Sequence, residues 1–284
     1  MKLLFSLVLA TFLFLFANTN IVKANNVLKV ITYNIEGMKP GTDADVRLKH
    51  IIDDFKELNP DVIALQEVNA KLDGTQNQGQ IITDSLSAYF HKPYYFYQAY
   101  AHLSWDNQYR ESIGIISKYP VKASGHKQLS KGMFYRQVIW NYIKTPIGMI
   151  NIFTTHLSFN SDSVRVIQVK EIKTFIAQID SSYKTTATIL TGDFNDVPNS
   201  TSIGLLTNKQ FDTFFIDSFV EANPKVTGNT IPASKPKSKI DYIFYKNNGK
   251  IRKVSSDIIM KRPYKKGHYN SDHLGVMTLF FGGK

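Results

Sequence analysis

Apolar positions along the chain switch repeatedly between two periods. Residues 27–34 (VLKVITYN) alternate and are rich in β-branched side chains, which predicts a strand. Leu48, Ile51, Ile52, Phe55 and Leu58 then recur at helical spacing, predicting an amphipathic helix over 45–58 that Asn59-Pro60 ends. The run 61–66 (DVIALQ) reads as a short buried strand, and 112–117, 138–143 and 149–155 as three more, the last two joined by a turn at Pro146-Ile147-Gly148. Val164, Ile167, Ile172, Phe175, Ile176 and Ile179 line one side of a second helix over 163–179, with capping residues available from Asn160 to Ser163. Strands are also predicted over 187–190, 240–245 and 275–281. The aromatic-rich stretch 88–105 reads as a buried strand with its flanks, and 223–239 as a loop rich in Pro, Lys, Ser and Asn. Hairpins mixed with helical crossovers imply a layered α/β architecture with mixed sheets rather than one parallel sheet. No short repeat and no low-complexity linker suggests a domain boundary.

The first 24 residues stand apart. Lys2 precedes an apolar run from Leu3 to Phe16 broken only by Ser6 and Thr11, and Val22-Lys23-Ala24 has the form of a cleavage site. The run is short for a membrane span and fits a cleavable secretion signal, so the expected mature domain is 25–284, secreted or periplasmic, with no transmembrane segment. The chain of 284 residues has no cysteine. That excludes disulfides, thiolate metal sites and cysteine nucleophiles, and leaves stability to the core. Net charge is +11, of which Lys2 and Lys23 account for two, leaving +9 after the leader. A basic surface favours polyanions such as nucleic acid or anionic headgroups, and equally serves solubility.

Candidate chemistry gathers where predicted strands end. Asn34, Glu67, His156, Asp193 with Asn195, Asp241, and Asp272-His273 all occupy such positions. Carboxylates with an amide and imidazoles are the donor set that a hard divalent cation and a phosphate ester require together. A metal polarises the phosphoryl group and activates water, imidazole carries protons near neutral pH, and an amide donates to phosphate without adding negative charge. Taken singly, each of these residues is as well explained by a turn, a cap or a solvated side chain.

The motifs Thr32-Tyr33-Asn34-Ile35, Leu65-Gln66-Glu67-Val68, Thr154-Thr155-His156-Leu157, Gly192-Asp193-Phe194-Asn195, Ile240-Asp241-Tyr242-Ile243 and Ser271-Asp272-His273, in this order, resemble the endonuclease/exonuclease/phosphatase superfamily. That group includes deoxyribonuclease I-like enzymes and bacterial sphingomyelinases. The resemblance spans Val27 to Phe281. It implies a four-layered α/β/β/α sandwich of two mixed β-sheets flanked by helices, with one site at the sheet ends. It also implies Glu67 as the main metal-binding carboxylate, with Asn34 and Asp272 beside it. Asp193 and Asn195 would orient water and phosphate. His273 would contact the phosphate or act as base, with Asp241 orienting its ring. His156 would stabilise the phosphate or leaving oxygen, with Glu111 as its acidic partner and Arg136 as a phosphate ligand. The implied cofactor is Mg²⁺, with Mn²⁺ or Ca²⁺ as alternatives.

These readings give a secreted, metal-dependent phosphodiesterase, expected to be a monomer. Lys235, Lys237 and Lys239 precede Asp241, and Lys261, Arg262, Lys265 and Lys266 precede Asp272, which favours nucleic acid as substrate. The leader and the aromatic segment favour a phospholipid instead. Arg165, Gln168 and Glu171 are similar to bacterial sphingomyelinases without deciding the matter. A third reading is a catalytically silent binding module or toxin subunit on the same fold. His50, His91, His102, His126 and His268 fit no motif and are expected to be ordinary surface or core histidines.

Overall fold

The computed structural model describes residues 26–210 and 214–283. The expected leader, 1–24, lies outside the described residues. Strands β1 (Val27–Asn34) and β2 (Val62–Lys71) are joined by helix α1 (Ala44–Leu58) and pair in parallel. Helix α2 (Gln78–Phe90), β3 (Tyr95–Ser104), β4 (Tyr109–Ser117), β5 (Val121–Leu129), β6 (Arg136–Thr145) and β7 (Gly148–His156) follow. Helix α3 (Asp162–Ser182) crosses to β8 (Ala187–Asp193), again parallel to its predecessor. Then come α4 (Thr201–Thr207), β9 (Ile216–Asp217), α5 (Ser218–Ala222), β10 (Asp241–Asn247), β11 (Ile251–Ile259) and β12 (Gly275–Gly282).

Two six-stranded mixed sheets result, in the orders β11-β12-β1-β2-β4-β3 and β5-β6-β7-β8-β10-β9. Each has one parallel pair at its centre, closed by one helical crossover. The sheets bury Leu28, Ile115, Ile152, Ile189 and Phe280 between them. Leu48, Ile51, Ile52 and Phe55 seat α1 on the first sheet, together with Ile82 and Leu86 of α2. Val169, Ile172 and Ile176 seat α3 on the second. Full burial is worth about 1.5–3 kcal/mol for each such side chain, so the apolar stripes decide where the helices lie. The expected α/β/β/α sandwich is the observed fold.

Polar side chains also enter the sheet interface. Gln66 donates from Nε2 to Thr32 Oγ1 at 3.1 Å and to Thr154 Oγ1 at 2.9 Å, tying the two sheets together beneath the strand ends. Arg47, on the inner face of α1 and 3% exposed, is a second tie. Its guanidinium donates to the carbonyls of Ile35, Glu36, Gly37 and Asn270 and to Thr42 Oγ1, at 2.7–3.2 Å. It thus joins α1 to the end of β1 and to the loop that carries Asp272. Arg47→Met is expected to cost roughly 3 kcal/mol or more, because buried carbonyls would lose a charged donor. Urea unfolding checks this, and an unchanged midpoint would remove Arg47 from the list of ties.

Candidate active site

The carboxyl ends of both parallel pairs meet at one edge of the sandwich. Strand register does most of the placing. His156 is the rung partner of Asp193, and Asp193 that of Asp241, so three functional side chains stand in a row across β7, β8 and β10. Across the interface, Asn34 is level with Gln66. Glu67 is aimed into the site by a bulge: the pairing of β2 with β4 slips between Leu65 and Val68, and Glu67 has φ 55°. A left-handed residue in a bulge is costly for glutamate and re-aims its side chain, a feature found beside active sites.

Asn34 joins the two sheets chemically. Its Nδ2 donates to Glu67 Oε1 at 3.0 Å and to Asp193 Oδ2 at 3.1 Å, while its Oδ1 accepts from the Glu36 amide at 3.1 Å. Asn34 positions the two carboxylates and keeps a second lone pair on Oδ1, while Glu67 and Asp272 line the cavity as oxygen donors open to a cation. Glu67 is desolvated, which raises its pKa above the usual carboxylate range; the Asn34 hydrogen bond and His273 work against this, and Asp272 adds to it. A desolvated carboxylate held by an amide, with a second carboxylate close by, fits a hard divalent cation, which would offset both the desolvation and the mutual repulsion. Asp193, Asp241 and His273 also offer ligand atoms within 4.8 Å of one another. There, however, His273 Nδ1 is hydrogen-bonded to Asp241 Oδ2 at 2.9 Å, so this group is better described as an imidazole oriented by a carboxylate.

The two histidines differ in state. Burial alone would lower the pKa of His273, but Asp241, Asp193 and Asp272 together raise it well above the ordinary value. His273 is therefore an imidazolium at neutral pH. His156 is pushed well below the ordinary value, by burial first and then by Arg136 and His273. Geometry agrees: Arg136 NH1 lies 3.1 Å from His156 Nδ1. A guanidinium only donates, so Nδ1 accepts and the ring proton sits on Nε2. Both Nε2 atoms converge on Asp193 Oδ2, at 3.5 Å from His156 and 3.7 Å from His273. Asp193 is pushed up to about 7 by burial and then by Asp241, against the pull of His273.

Arg136 stands where the resemblance placed Glu111. Glu111 reaches Arg136 NH1 at 3.4 Å and His102 Nε2 at 3.5 Å, and Arg136 intervenes before His156. Glu111 is raised to about 8 by burial and then by Glu67. Asn195 gives its backbone amide to Asp193 Oδ1 at 2.8 Å and its side-chain amide to Leu157 O at 3.1 Å, keeping the turn after β8 in place. Ser271 Oγ donates to Asn34 O at 2.7 Å and accepts from the His273 amide at 3.1 Å, which fastens the Ser-Asp-His segment to β1.

Sequence reasoning missed Gln66, Arg47, Ser271 and His102. Gln66 and Ser271 lie inside the motifs but carried no assigned role, and Arg47 is a charged residue on the buried face of α1. His102 was set aside as an ordinary histidine, yet it is buried against Glu111 and lies on the cavity wall. One basic residue is corrected: Lys239 is 2% exposed and pairs with Asp217 at 3.3 Å, with Phe219 and Tyr242 under its ammonium. It is an interior ion pair and unable to grip a flanking phosphate. Arg262 is engaged by Asp54 and Glu57 on α1.

The sequence profile of the Endonuclease/Exonuclease/phosphatase family matches residues 31–273. The chain belongs to that family. Its members are phosphoester hydrolases, and they typically depend on a divalent metal. No curated protein matches the sequence. Among solved structures, an endonuclease/exonuclease/phosphatase family protein from Leptotrichia buccalis superposes with TM-score 0.71 at 21% identity, covering 88% of this chain and 98% of its own. The truncated Caenorhabditis elegans TDP2 gives 0.66 at 16% identity, covering 90% and 98%. A Bacteroides thetaiotaomicron mannosyl-6-phosphatase gives 0.69 at 19% identity, covering 89% and 100%. At these identities the likeness is one of fold. Among the described residues no helix is long and apolar enough to cross a membrane.

Proposed function

We propose that this protein is a secreted, Mg²⁺-dependent phosphodiesterase that hydrolyses nucleic acid. One observation carries the hydrolytic reading: the Nε2 atoms of two buried imidazoles, one held by Arg136 and the other by Asp241, converge on Asp193 Oδ2 at 3.5 and 3.7 Å, and burial pushes that carboxyl up to about 7. Asp193 is suited to take the proton from an attacking water, since a general base works best with a pKa near the operating pH. His273, held as imidazolium by Asp241, gives charge to a phosphoryl oxygen. His156 gives a neutral Nε2–H to the same group or to the leaving oxygen, and Arg136 keeps that proton on Nε2. Glu67 and Asp272 would hold the cation, which neutralises phosphoryl charge and polarises bound water when present. Support for nucleic acid comes from the net charge and from Lys235, Lys237, Lys261, Lys265 and Lys266 on the two loops leading to Asp241 and Asp272. Support for secretion comes from the leader.

The test is hydrolysis by residues 25–284, with Mg²⁺ and with chelator, of plasmid DNA, single-stranded RNA, sphingomyelin vesicles and a small phosphomonoester. Nucleic acid cleavage that chelator stops is expected, with binding that weakens steeply as salt rises. Cleavage of sphingomyelin alone would overturn the substrate, and would turn attention to Met133 and Tyr135, which are exposed beside the cavity residue Phe134. A protein that binds its substrate and cleaves nothing would be the silent module. Independently of turnover, Mg²⁺ should raise the melting temperature of wild type, and Glu67→Gln should abolish that rise. An equal shift in the variant would remove Glu67 from the metal site.

A further inference from the structure

The reacting groups share a cavity of about 610 Å³ whose lining is divided in character. Glu67, His156, Asp193, Asp272 and His273 supply charge and hydrogen bonds, whereas Trp105, Phe134 and Phe159 supply aromatic rings with no role in the chemistry described above. Phe134 stacks on His102 with centroids 4.4 Å apart and planes at 12°, and lies 6.3 Å from Phe159. Phe159 is 50% exposed, apolar area left in water beside a charged site. Such exposure costs free energy that a flat ligand covering the ring would recover.

These rings are held firmly. Arg165, buried and paired with Asp196, donates to the carbonyls of Ser158 and Phe159. Gln168 donates to Ser130 O at 2.8 Å, and Glu171 accepts from the Ser130 amide and hydroxyl at 2.8 and 2.6 Å, fixing the start of the segment that carries Phe134. Trp105 sits in a turn with Asp106 and Asn107, all three at positive φ (51°, 55° and 62°), and its indole N–H donates to Asn69 Oδ1 at 3.0 Å. Left-handed backbone at a tryptophan is unfavourable and persists only where the surroundings over-determine it. A rigid aromatic wall loses little entropy on binding a ring.

The geometry points to an aromatic subsite beside the scissile phosphate that stacks an unpaired nucleobase and so selects single-stranded over duplex nucleic acid. This rests on the phosphodiesterase reading above. A base inside a duplex already has both faces covered, and must be flipped out at a cost of a few kcal/mol before it can reach a walled cavity. An unpaired base offers its face freely, and stacking on an aromatic side chain contributes about 1–3 kcal/mol per base. Since every base has such a face, the selection is for strandedness and not for sequence.

The experiment uses a short oligothymidylate, the same strand with a base-free residue walked through it, a wholly base-free strand, and the duplex with oligoadenylate. Cleavage is followed with Mg²⁺, and binding by tryptophan fluorescence in chelator. Of the two tryptophans, Trp140 is 4% exposed in the core, so quenching reports Trp105. Expected results are cleavage of the single strand at least tenfold faster than the duplex, and quenching by oligothymidylate only. A base-free residue next to the scissile phosphate should raise KM by roughly 5- to 150-fold, the equivalent of one lost stack. Phe159→Ala should reproduce that rise and Phe159→Tyr restore the wild-type value. Equal rates on duplex, indifference to the base-free residue, or equal quenching by the base-free strand would overturn the subsite. Base-dependent quenching without any cleavage would keep the subsite and sink the phosphodiesterase reading; cleavage indifferent to the base would do the reverse.

Discussion

His156→Ala is expected to lower kcat by about 10²–10³-fold, the usual cost of losing one preorganised donor to a developing oxyanion. The protonation state of the ring matters as much as its position. Arg136 occupies Nδ1 at 3.1 Å, so the one ring proton points from Nε2 into the cavity that also holds Asp193 and His273. Because the ring is neutral, its loss should depress the rate across the whole pH range and leave the shape of the pH profile unchanged. His273→Ala should instead change that shape, since it removes an imidazolium. Far-UV circular dichroism of His156→Ala should match wild type, because Arg136 keeps Glu111 as a partner. A variant with wild-type kcat would show that His156 is outside the reaction, and the proposed division of roles would fall. Arg136→Met gives a second reading of the same idea. With Nδ1 released, the ring can hold its proton on either nitrogen, and a lower kcat with little change in KM is expected.

The fold was legible where periodicity was strong. Val27–Asn34 alternates, α1 carries a continuous apolar stripe, and the runs that became β6 and β7 flank a turn signal; in α3 the expected stripe holds at Ile172 and Ile176, while Ile167 is exposed and Arg165 and Gln168 are buried in the first turns. It was not legible where burial is one-sided or glycine replaces an apolar knob. Strand β5 has alternate residues half-buried and the others exposed, with small or charged side chains along an edge, so it shows no hydrophobic rhythm. Helix α2 begins with Gln78 and Gly79, where the ring of Phe96 lies 2.1 Å from the position a Cβ would take, so packing there demands the absence of a side chain. Strand β2 was read as ending at Gln66 and in fact continues to Lys71, because the bulge at Glu67 breaks the alternation.

The candidate site shows the same division. Asn34, His156, Asp193 and Asp241 stand at strand ends and are brought together by register, which local pattern does carry, whereas Glu67 is aimed by a bulge inside β2 and His273 by the loop before β12. Side-chain partnership across strands is not a local property. Nothing in Tyr135-Arg136-Gln137 signals that the guanidinium enters between Glu111 and His156, or that Gln66 spans two sheets to reach Thr154.

Without added metal, the protein is expected to lose stability as pH rises from 7 to 9, and Mg²⁺ should flatten that decline. Four buried acidic or imidazole groups bind protons more tightly in the folded chain than in the unfolded one: Glu67, raised by burial, Asp193, raised to about 7, Glu111, raised to about 8, and His273, raised well above its ordinary value. Where the folded state holds more protons, unfolding stability falls with rising pH. The carboxylates spread this loss from their unfolded values upward to 7 and 8, and His273 adds to it above about 6.5. His102, lowered to about 4, and His156, also lowered, act in the opposite sense. Their effect is confined to acid, because above about 7.5 both are neutral in either state. Lys29, Lys173 and Lys239, lowered by burial, oppose the decline from the alkaline side, so the negative slope expected of Glu111 and His273 is steepest just above pH 7, at most about 1.4 kcal/mol per pH unit for each group in its window. A cation held by Glu67 and Asp272 lies beside these groups, favours their deprotonated forms and so binds more strongly as pH rises. Melting temperatures from pH 6.5 to 9, with chelator and with Mg²⁺, separate the two cases. A flat profile in chelator would mean that the buried protons have been misplaced, and parallel profiles would mean that the cation binds elsewhere.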